Sequence, residues 1–514
     1  MSDRGALDGF IETWDRTVLT RPDAPFLIFE APDGEVASWT YGDFDAVVDH
    51  VAAHLVVHGA GAGRAVHLAL TNSPTFVATW LAVARLGAWM VPSDPMGTAA
   101  ELADQLERTD PSVGLCSIDR VGVYREAVAA SDRPMSVVEV DEADATFEGF
   151  GAARIDRPPH ADPTDRLAVM FTSGTTGRPK GVEITQANYA FAGRIMVEAA
   201  DLTAADRQLV VLPLFHANAQ YYSFASAIHV GASVALMHSF SASGFLPQAA
   251  RHGATCASLF AAPIRMILAR GGPVDGLRLR HCWFAQNLAD DQYDTISAWL
   301  GCRPRQLYGM TETIPAVLTD GVDDPRADVM GSVTPGCVVD VQDGDGRSVE
   351  PGEVGEVVVG GEPGTTLFAG YLDDPATTAA SFRDGWFRTG DRATRDADGR
   401  HRFDGRRSDV LKVAGENVSI VEVETVLSAH PGVLEAAVVG APDPVRDEVP
   451  VAFVVAAPGG RSTEDELAAD LAAWCEEHLA KVKRPRTFTF LTQLPRTSVG
   501  KIRKFLLREE VPTS

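Results

Sequence analysis

The 514-residue sequence has few cysteines, a deficit of basic residues and no long apolar run. Its six cysteines form no CxxC pair and show no zinc-like spacing to histidine, which argues against a disulfide framework and predicts reduced, structural thiols. The 45 Lys and Arg residues against 70 Asp and Glu residues give a formal charge of −25. That charge repels nucleic-acid backbones and anionic membrane surfaces, so neither is predicted as a partner.

No apolar run reaches the roughly 18 residues that a membrane span needs. The first 15 residues are acidic and lack the apolar core of a signal peptide. We therefore predict a cytoplasmic protein. Its 45% hydrophobic and 22% charged residues are ordinary for a globular chain, and its length suits two to four folded units.

Helical and strand-like patterns alternate through the first 330 residues. Segments 44–55 and 76–86 carry apolar residues at helical spacing, whereas 66–70 and 88–91 are short apolar runs. This alternation is typical of βαβ units and predicts parallel sheets covered by helices.

The pattern changes near residue 331, where glycine and proline become frequent and the strands look short and antiparallel. After residue 404 a compact α+β pattern of roughly 110 residues follows, which is a plausible domain size. We predict an α/β fold with a large N-terminal domain, 1–407, of parallel-rich sheets, helices and a β-rich subdomain. A small α+β C-terminal domain, 408–514, is predicted to follow.

The segment 171–181, FTSGTTGRPKG, combines hydroxyl side chains, two glycines and a lysine. Backbone amides and hydroxyls in such a loop can cradle phosphate oxygens, and the lysine adds a positive charge. The spacing matches neither a Walker A loop nor the GxGxxG pattern of dinucleotide-binding folds. The candidate phosphate-binding residues are Thr172, Ser173, Gly174, Thr175, Thr176, Gly177 and Lys180.

Four further blocks follow in order: YGMTE at 308–312, GWFRTGD at 385–391, GRRSDVLKVAGENVS at 405–419 and PRTSVGK at 495–501. Together with the loop they resemble the signatures of the acyl-adenylate-forming superfamily over nearly the whole chain. The segments LPLFHANAQYY and YGMTETI are most similar to crotonobetaine/carnitine-CoA ligase-like acid-CoA ligases.

The resemblance implies a nucleotide site. Lys180 and the loop before it would hold the β- and γ-phosphates of ATP, and Thr311 would donate to the α-phosphate. Glu312 resembles the Mg²⁺ ligand, since Mg²⁺ is commonly held by one or two carboxylates together with substrate phosphates. Tyr308 would lie against adenine, and Gly309 belongs to the same set.

The later blocks complete the implied site. Asp391 and Arg406 would contact the ribose. Lys501 would swing in to bridge the carboxylate and the α-phosphate, a task that suits a compact charge on a flexible stem. Ser408 stands at the implied hinge, where the superfamily usually has Asp or Lys, and the C-terminal domain would rotate there between two poses. Gly415, Glu416 and Asn417 would lie beside coenzyme A in the second pose.

The acid-binding residues follow the pattern less closely. His216 resembles the aromatic residue beside the acyl pocket. Amide and phenol side chains nearby could build a polar pocket, and because buried amides need partners, they predict a small polar acid. The opposite interpretation, that the amides bind only backbone, is equally open. The candidate pocket residues are His216, Asn218, Gln220, Tyr221, Gln286 and Asn287.

The implied reaction is an ATP- and Mg²⁺-dependent conversion of a small polar acid to its adenylate, followed by transfer to coenzyme A. The catalytic set would be Thr172, Lys180, Glu312 and Lys501. An alternative keeps the adenylate but changes the acceptor or the oxyanion, as in an amide synthetase or a nitrite-activating diazotase acting on an aryl amine. The expected partners are small molecules, and the sequence leaves open whether the chain forms a homodimer.

Overall fold

The computed structural model describes residues 7–172, 179–406, 410–413, 416–443, 446–457, 463–496 and 502–511. The chain divides into two units, the first made of Met1–Val339 and Val359–Phe387, the second of Asp340–Val358 and Arg388–Ser514. The predicted boundary between residues 407 and 408 lies outside the described residues and stays a prediction.

The first unit contains a nine-stranded sheet, counted within the described residues, whose centre is parallel. Strand Ser233–Met237 is buried at every position and pairs in parallel with its neighbours on both sides. The sequences of such strands are continuous apolar runs, because helices cover both faces of a parallel sheet. The strand order is Ser332–Val333, Leu318–Thr319, Arg305–Tyr308, His281–Ala285, Cys256–Phe260, Arg207–Val210, Ser233–Met237, Pro25–Glu30 and Val36–Thr40.

A seven-stranded sheet, counted in the same ranges, also belongs to this unit, and two of its strands flank the candidate phosphate-binding segment. Helix Pro74–Arg85 begins at Ser73, whose hydroxyl accepts from the Phe76 amide, and it is buried along its whole length. It connects the parallel strands Ala65–Ala69 and Trp89–Pro92, as the alternating pattern predicts. The strand order is Gly370–Tyr371, Lys180–Thr185, Arg166–Thr172, Trp89–Pro92, Ala65–Ala69, Val113–Ser117 and Ser136–Val140.

Helices cover both sheets, and aromatic residues fill the space between them. Phe10 stacks on Trp80 at 4.9 Å between ring centroids, in a cluster that joins the first helix to the helices over the sheets. The α-helices of the first unit are Phe10–Thr20, Tyr41–Val57, Pro74–Arg85, Ala99–Thr109, Val121–Ser131, Gln186–Ala200, Ser226–Val230, Phe245–Arg251, Ala261–Arg270, Asp290–Leu300 and Pro375–Ala380. A π-helix spans Asn218–Ala225, and 3₁₀ turns span Ile118–Arg120, Glu148–Phe150 and Thr311–Thr313.

The second unit is rich in antiparallel strands. Trp386–Arg395 pairs with His401–Arg406, and the chain passes between the units within Val338–Gln342, Val354–Gly360 and Trp386–Arg395. A second sheet has the order Glu416–Ser419, Val410–Val413, Asp447–Ala456 and Val433–Asp443, with Phe488–Phe490 beside Asp447–Ala456. The remaining elements are strand Phe382–Arg383 of the first unit, helices Ile420–Ser428, Glu464–His478 and Lys504–Glu509, and the 3₁₀ turn Lys481–Lys483.

These features confirm the predicted fold class, with parallel-rich sheets followed by a β-rich segment and a C-terminal α+β segment. The six cysteines, all within the described ranges, are free thiols, as predicted. In the part of the chain that the structure describes, no helix combines the length and the apolar character needed to cross a bilayer.

Candidate active site

Two antiparallel strands flank the candidate phosphate-binding segment. Strands Arg166–Thr172 and Lys180–Thr185 pair so that Thr172 lies opposite Lys180. The backbone therefore brings together the two candidate residues at the ends of the loop. The candidates between them, Ser173, Gly174, Thr175, Thr176 and Gly177, lie outside the described residues.

Tyr371 contacts both Lys180 and Glu312, and it was not predicted from the sequence. Glu312 is only 4% exposed, and its Oε1 accepts a hydrogen bond from the Tyr371 hydroxyl at 3.1 Å. The ammonium nitrogen of Lys180 lies 4.7 Å from the centroid of the Tyr371 ring. Burial raises the pKa of Tyr371 and the charge of Glu312 adds to the effect, so the phenol stays protonated and donates.

Strand pairing explains why Tyr371 reaches this position. The short strand Gly370–Tyr371 adds to the edge of the hairpin, with Tyr371 opposite Val182. Its partner Glu312 lies 59 residues earlier in the chain. A two-residue strand has no periodic pattern, so no local sequence signal reveals this contact.

Gly309 brings the backbone of the YGMTE block close to Tyr222 of the π-helix Asn218–Ala225. A Cβ atom at this position would lie 2.9 Å from the Pro315 carbonyl oxygen and 2.9 Å from the Tyr222 hydroxyl. Only glycine permits such an approach without a shift of these neighbours. The preceding residue, Tyr308, is half-buried against the main core at the end of its strand.

The backbone directly after Thr311 and Glu312 is strained. Ile314 has φ 71° and ψ −78°, an arrangement that a β-branched residue adopts only at a cost on the order of 1–3 kcal/mol. Its side chain is fully buried, so packing holds it in place. Strain of this kind is enriched at ligand-binding sites, which agrees with the role proposed for its neighbours.

The segment Asn218–Ala225 forms a π-helix, a rare conformation that is often found at functional sites. All eight of its residues are buried. Within the described residues, the side-chain amide nitrogen and oxygen of Asn218 have no hydrogen-bond partner. The Tyr221 hydroxyl has none in these residues either. Buried polar groups are normally partnered, so the Asn218 amide and the Tyr221 hydroxyl are available to bind a polar group of a ligand.

Two other candidates near this helix have different surroundings. Both ends of the Gln220 amide have partners within the protein, because its oxygen accepts from the Tyr189 hydroxyl and its nitrogen donates to the Leu214 carbonyl. This contact set supports a structural role. His216 is half-buried just before the π-helix, with its ring against Phe215.

Gln286 and Asn287 do not have the buried amides that the predicted polar pocket assumed. Both side chains are exposed rather than buried, because they follow strand His281–Ala285 where the chain leaves the sheet. The Asn287 side-chain oxygen accepts from Gln306 at 3.2 Å. Gln286 has φ 74°, in the region that favours glycine. Contact with the acid stays a prediction for both residues, but it no longer follows from burial.

The candidate ribose residues form a cross-strand pair in the second unit. Asp391 lies directly opposite Arg406 in the register of their strands, and the Arg406 Nε donates to the Asp391 carboxylate at 2.8 Å. The Asp391 side chain is buried, whereas nearly half of the Arg406 side chain is exposed. The guanidinium therefore holds the carboxylate in place while remaining accessible itself.

The remaining candidates lie at or beyond the edge of the described residues. Glu416 and Asn417 begin the strand Glu416–Ser419, while Gly415, Ser408 and Lys501 fall outside the described residues. The backbone on both sides of the Lys501 segment is joined by a bridge between Arg496 and Ile502.

The donor set around Glu312 fits magnesium. In the described ranges, no three His, Cys, Asp or Glu side chains gather as a metal cage. Mg²⁺ is typically bound through one or two carboxylates plus phosphate oxygens and water rather than by an all-protein cage. Glu312, a buried carboxylate that contacts Tyr371 beside Lys180, has this character.

Comparison with known families identifies the family of the chain. Residues 14–372 match the family described as AMP-binding enzyme, and residues 422–501 match the AMP-binding enzyme C-terminal domain. The chain belongs to the AMP-binding enzyme family. Membership confirms the predicted resemblance and the expectation of an AMP-forming ligase.

Relatives of this AMP-binding enzyme cover nearly its whole length. A crotonobetaine/carnitine-CoA ligase of Salmonella paratyphi C (strain RKS4594) is 32% identical over 507 residues, which are 96% of this chain and 97% of that relative. An anthranilate CoA ligase in complex with anthranoyl-AMP aligns with TM-score 0.88 and 25% identity, covering 99% of this chain and 98% of that one. An o-succinylbenzoate CoA synthetase from Bacillus subtilis, in complex with its acyl-adenylate, aligns with TM-score 0.84 and 27% identity over 98% of both chains.

Proposed function

We propose that this AMP-binding enzyme activates a small polar carboxylic acid with ATP and transfers the acyl group to coenzyme A. The observation that carries the choice of acid is the unsatisfied polar pair on the π-helix, the Asn218 amide and the Tyr221 hydroxyl. A long alkyl chain would leave both groups unpaired, at a cost of about 1–3 kcal/mol each. An acid with its own polar group would satisfy them.

In the first step a carboxylate oxygen attacks the α-phosphorus of ATP, and pyrophosphate leaves. Lys180 offsets negative charge on the phosphates, and the Tyr371 hydroxyl keeps the Glu312 carboxylate in one orientation. Bound Mg²⁺ supplies charge neutralisation for the triphosphate, and Glu312 is the residue proposed to hold it. Asp391, fixed by Arg406, is proposed to accept from the ribose hydroxyls.

In the second step the thiol sulfur of coenzyme A attacks the acyl carbonyl carbon, and AMP leaves. We propose Gly415, Glu416 and Asn417 as neighbours of the thiol substrate. Lys501 is the proposed cation of the first step, and Ser408 the proposed hinge between the steps. A cytoplasmic enzyme suits these substrates, and the division into 1–407 and 408–514 belongs to the same proposal.

The named relatives favour coenzyme A over the alternative acceptors. The curated relative and the two solved structures cited above all carry the name of a CoA ligase or synthetase. An amine acceptor, or nitrite in place of the acid, has no comparable support and becomes an outcome of the test.

The test is a substrate screen of the purified protein with ATP and Mg²⁺. Small hydroxy, amino, quaternary-ammonium and dicarboxylic acids are compared with alkyl acids of equal length, each with coenzyme A, and AMP and acyl-CoA are measured by mass spectrometry. We expect AMP and thioester in equal amounts, with a polar acid preferred. Preference for the alkyl acids would refute the polar pocket. AMP release that depends on nitrite or an amine would refute the CoA-ligase assignment.

A further inference from the structure

One arginine outside the known motifs contacts both ends of the phosphate loop. Arg108, in the last turn of helix Ala99–Thr109, places its guanidinium carbon 4.7 Å from the centroid of the Phe171 ring. Its Nη1 also donates a hydrogen bond to the Pro179 carbonyl oxygen at 2.7 Å. Phe171 precedes Thr172, and Pro179 precedes Lys180.

The planar guanidinium makes these two contacts compatible. Its face attracts the electron-rich face of an aromatic ring, while the N–H groups at its edge remain free to donate. A lysine ammonium has no such fork and does not combine both contacts in the same way. Asp104, one turn earlier on the same helix, lies 3.4 Å from Nη1 and helps to hold the side chain, which is only 20% exposed.

The strand register shows what this contact fixes. Phe171 pairs with Gly181 and Thr172 pairs with Lys180, so Arg108 connects the two strands where the hairpin opens into the loop. Arg108 and Lys180 also share one electrostatic neighbourhood. Hydrogen bonds from Thr377 chiefly hold the pKa of Asp374 below its usual value, and the charges of Lys180 and Arg108 act in the same direction.

We propose that Arg108 is a positioning residue for ATP, which sets the distance between the two ends of the phosphate loop and so places Thr172 and Lys180 for the triphosphate. The proposal rests on the proposed function in taking ATP as the nucleotide. It does not depend on the identity of the acid or of the acceptor. Arg108 acts through Phe171 and Pro179, so its loss changes nucleotide binding before it changes the acyl half of the site.

The test measures the dissociation constant of ATP with Mg²⁺ by calorimetry, without acid or coenzyme A. For Arg108→Met we expect a dissociation constant at least about tenfold higher, the scale of losing one hydrogen bond from a charged group. Arg108→Lys keeps the charge but not the fork, and we expect it to recover less than half of that loss on a logarithmic scale. With a substrate acid in hand, KM for ATP should rise while KM for the acid stays unchanged.

Arg125→Met is the matched control, because Arg125 is an exposed arginine on helix Val121–Ser131 that pairs with Glu139. We expect it to bind ATP like the wild type. If Arg108→Met does not fold, Phe171→Leu is tested instead, because it removes the aromatic ring that the Arg108 guanidinium contacts. It should raise the dissociation constant of ATP about threefold, the scale of an exposed cation–π contact.

The outcomes separate this inference from the proposed function. Unchanged ATP affinity in Arg108→Met, or full recovery in Arg108→Lys, overturns the positioning role and leaves the ligase assignment intact. A wild-type protein that does not bind ATP overturns the proposed function itself. Weakened binding in Arg108→Met together with unchanged binding in Arg125→Met supports the inference.

Discussion

At the scale of single residues, Tyr371 makes two separate contacts in the candidate site. It connects a carboxylate and an ammonium group that are distant in sequence, with a hydroxyl on one and a ring face on the other. The two contacts involve different parts of the side chain. Removing the hydroxyl therefore affects Glu312 and leaves the ring beside Lys180.

Tyr371→Phe tests this separation. A hydrogen bond to a charged group contributes about 1.5–3 kcal/mol, so kcat/KM should fall about tenfold to a hundredfold. The Mg²⁺ concentration for half-maximal rate should rise, because the Glu312 carboxylate loses its fixed orientation. The measurement is a Mg²⁺ titration of the initial rate at saturating ATP.

Tyr293→Phe is the control for this substitution. Tyr293 is also buried, and its hydroxyl donates to the Pro304 carbonyl at 2.6 Å, away from Glu312. We expect lower stability but an unchanged Mg²⁺ requirement. Equal Mg²⁺ dependence in the two variants would contradict the role proposed for Tyr371.

At the scale of elements, the π-helix Asn218–Ala225 differs from the helices around it. The preceding helix Gln186–Ala200 satisfies its buried Asn188 completely, with the side-chain oxygen accepting from Thr185 and the nitrogen donating to Thr365 and Leu367. Asn218 has no such partners in the described chain. The described protein thus supplies hydrogen-bond partners for the Asn188 amide but not for the Asn218 amide.

Leucine substitutions at both positions should have opposite effects on stability. Asn218→Leu removes an unsatisfied buried amide and should raise the denaturation midpoint, on the scale of about 1 kcal/mol. It should also lower kcat/KM for the polar acid about tenfold or more. Asn188→Leu should lower stability by at least about 2 kcal/mol, because it leaves several backbone groups unpaired.

Urea unfolding followed by tryptophan fluorescence measures both variants. A loss of stability in Asn218→Leu comparable to that in Asn188→Leu would show that Asn218 is partnered within the protein. The polar pocket would then lose its main support. Retained activity with the polar acid would lead to the same conclusion.

Regular elements were predictable from the sequence, and long-range contacts were not. The periodicity at 76–86 and the apolar runs at 66–70 and 88–91 correspond to a buried helix between parallel strands. Tyr371 and Arg108 act through partners distant in the chain, which no local pattern encodes. The exposure of Gln286 and Asn287 was also missed, because their composition does not show that the chain leaves the sheet there.

At the scale of the whole molecule, acid sensitivity should depend partly on one core histidine. His67 is fully buried, and its two ring nitrogens lie 2.9 Å from the hydroxyl oxygens of Tyr124 and Ser93. Burial lowers the pKa of His67 to about 4. The native state thus binds this proton less readily than the unfolded chain, whose histidines titrate near about pH 6.5. The stability it contributes is complete above that pH and is lost as pH falls toward about 4.

Between about pH 7.5 and about pH 5, His67 should account for a loss on the order of 2 kcal/mol. His67→Gln cannot take up the proton, so its urea midpoint should decline less over this interval than that of the wild type. His50→Gln, on the half-buried side of helix Tyr41–Val57, should keep the wild-type decline. Parallel pH dependence in all three proteins would show that His67 is not the group responsible.

The two steps of the proposed reaction make different demands on the C-terminal segment, and two nearby lysines distinguish them. Lys504 is paired with Glu424 at 2.8 Å, so its charge is already neutralised within the second unit. Lys501, three residues earlier, is the proposed cation of the adenylation step. Lys501→Ala should slow adenylation at least about 10²-fold, the scale of one electrostatic contact to a transition state.

The same variant should still convert a preformed acyl-adenylate to thioester, because the thiol attacks the acyl carbon and negative charge develops first on the carbonyl oxygen, whereas attack on the α-phosphorus occurs only in the adenylation step. Lys504→Ala should leave both rates close to those of the wild type, because Glu424 already neutralises the Lys504 ammonium group. Single-turnover kinetics of each half-reaction provide the measurement. Equal slowing of both steps in Lys501→Ala would mean that this lysine supports the fold of the segment or both chemical steps alike. An equally large effect in Lys504→Ala would show that net charge in the segment, rather than one positioned ammonium group, drives adenylation.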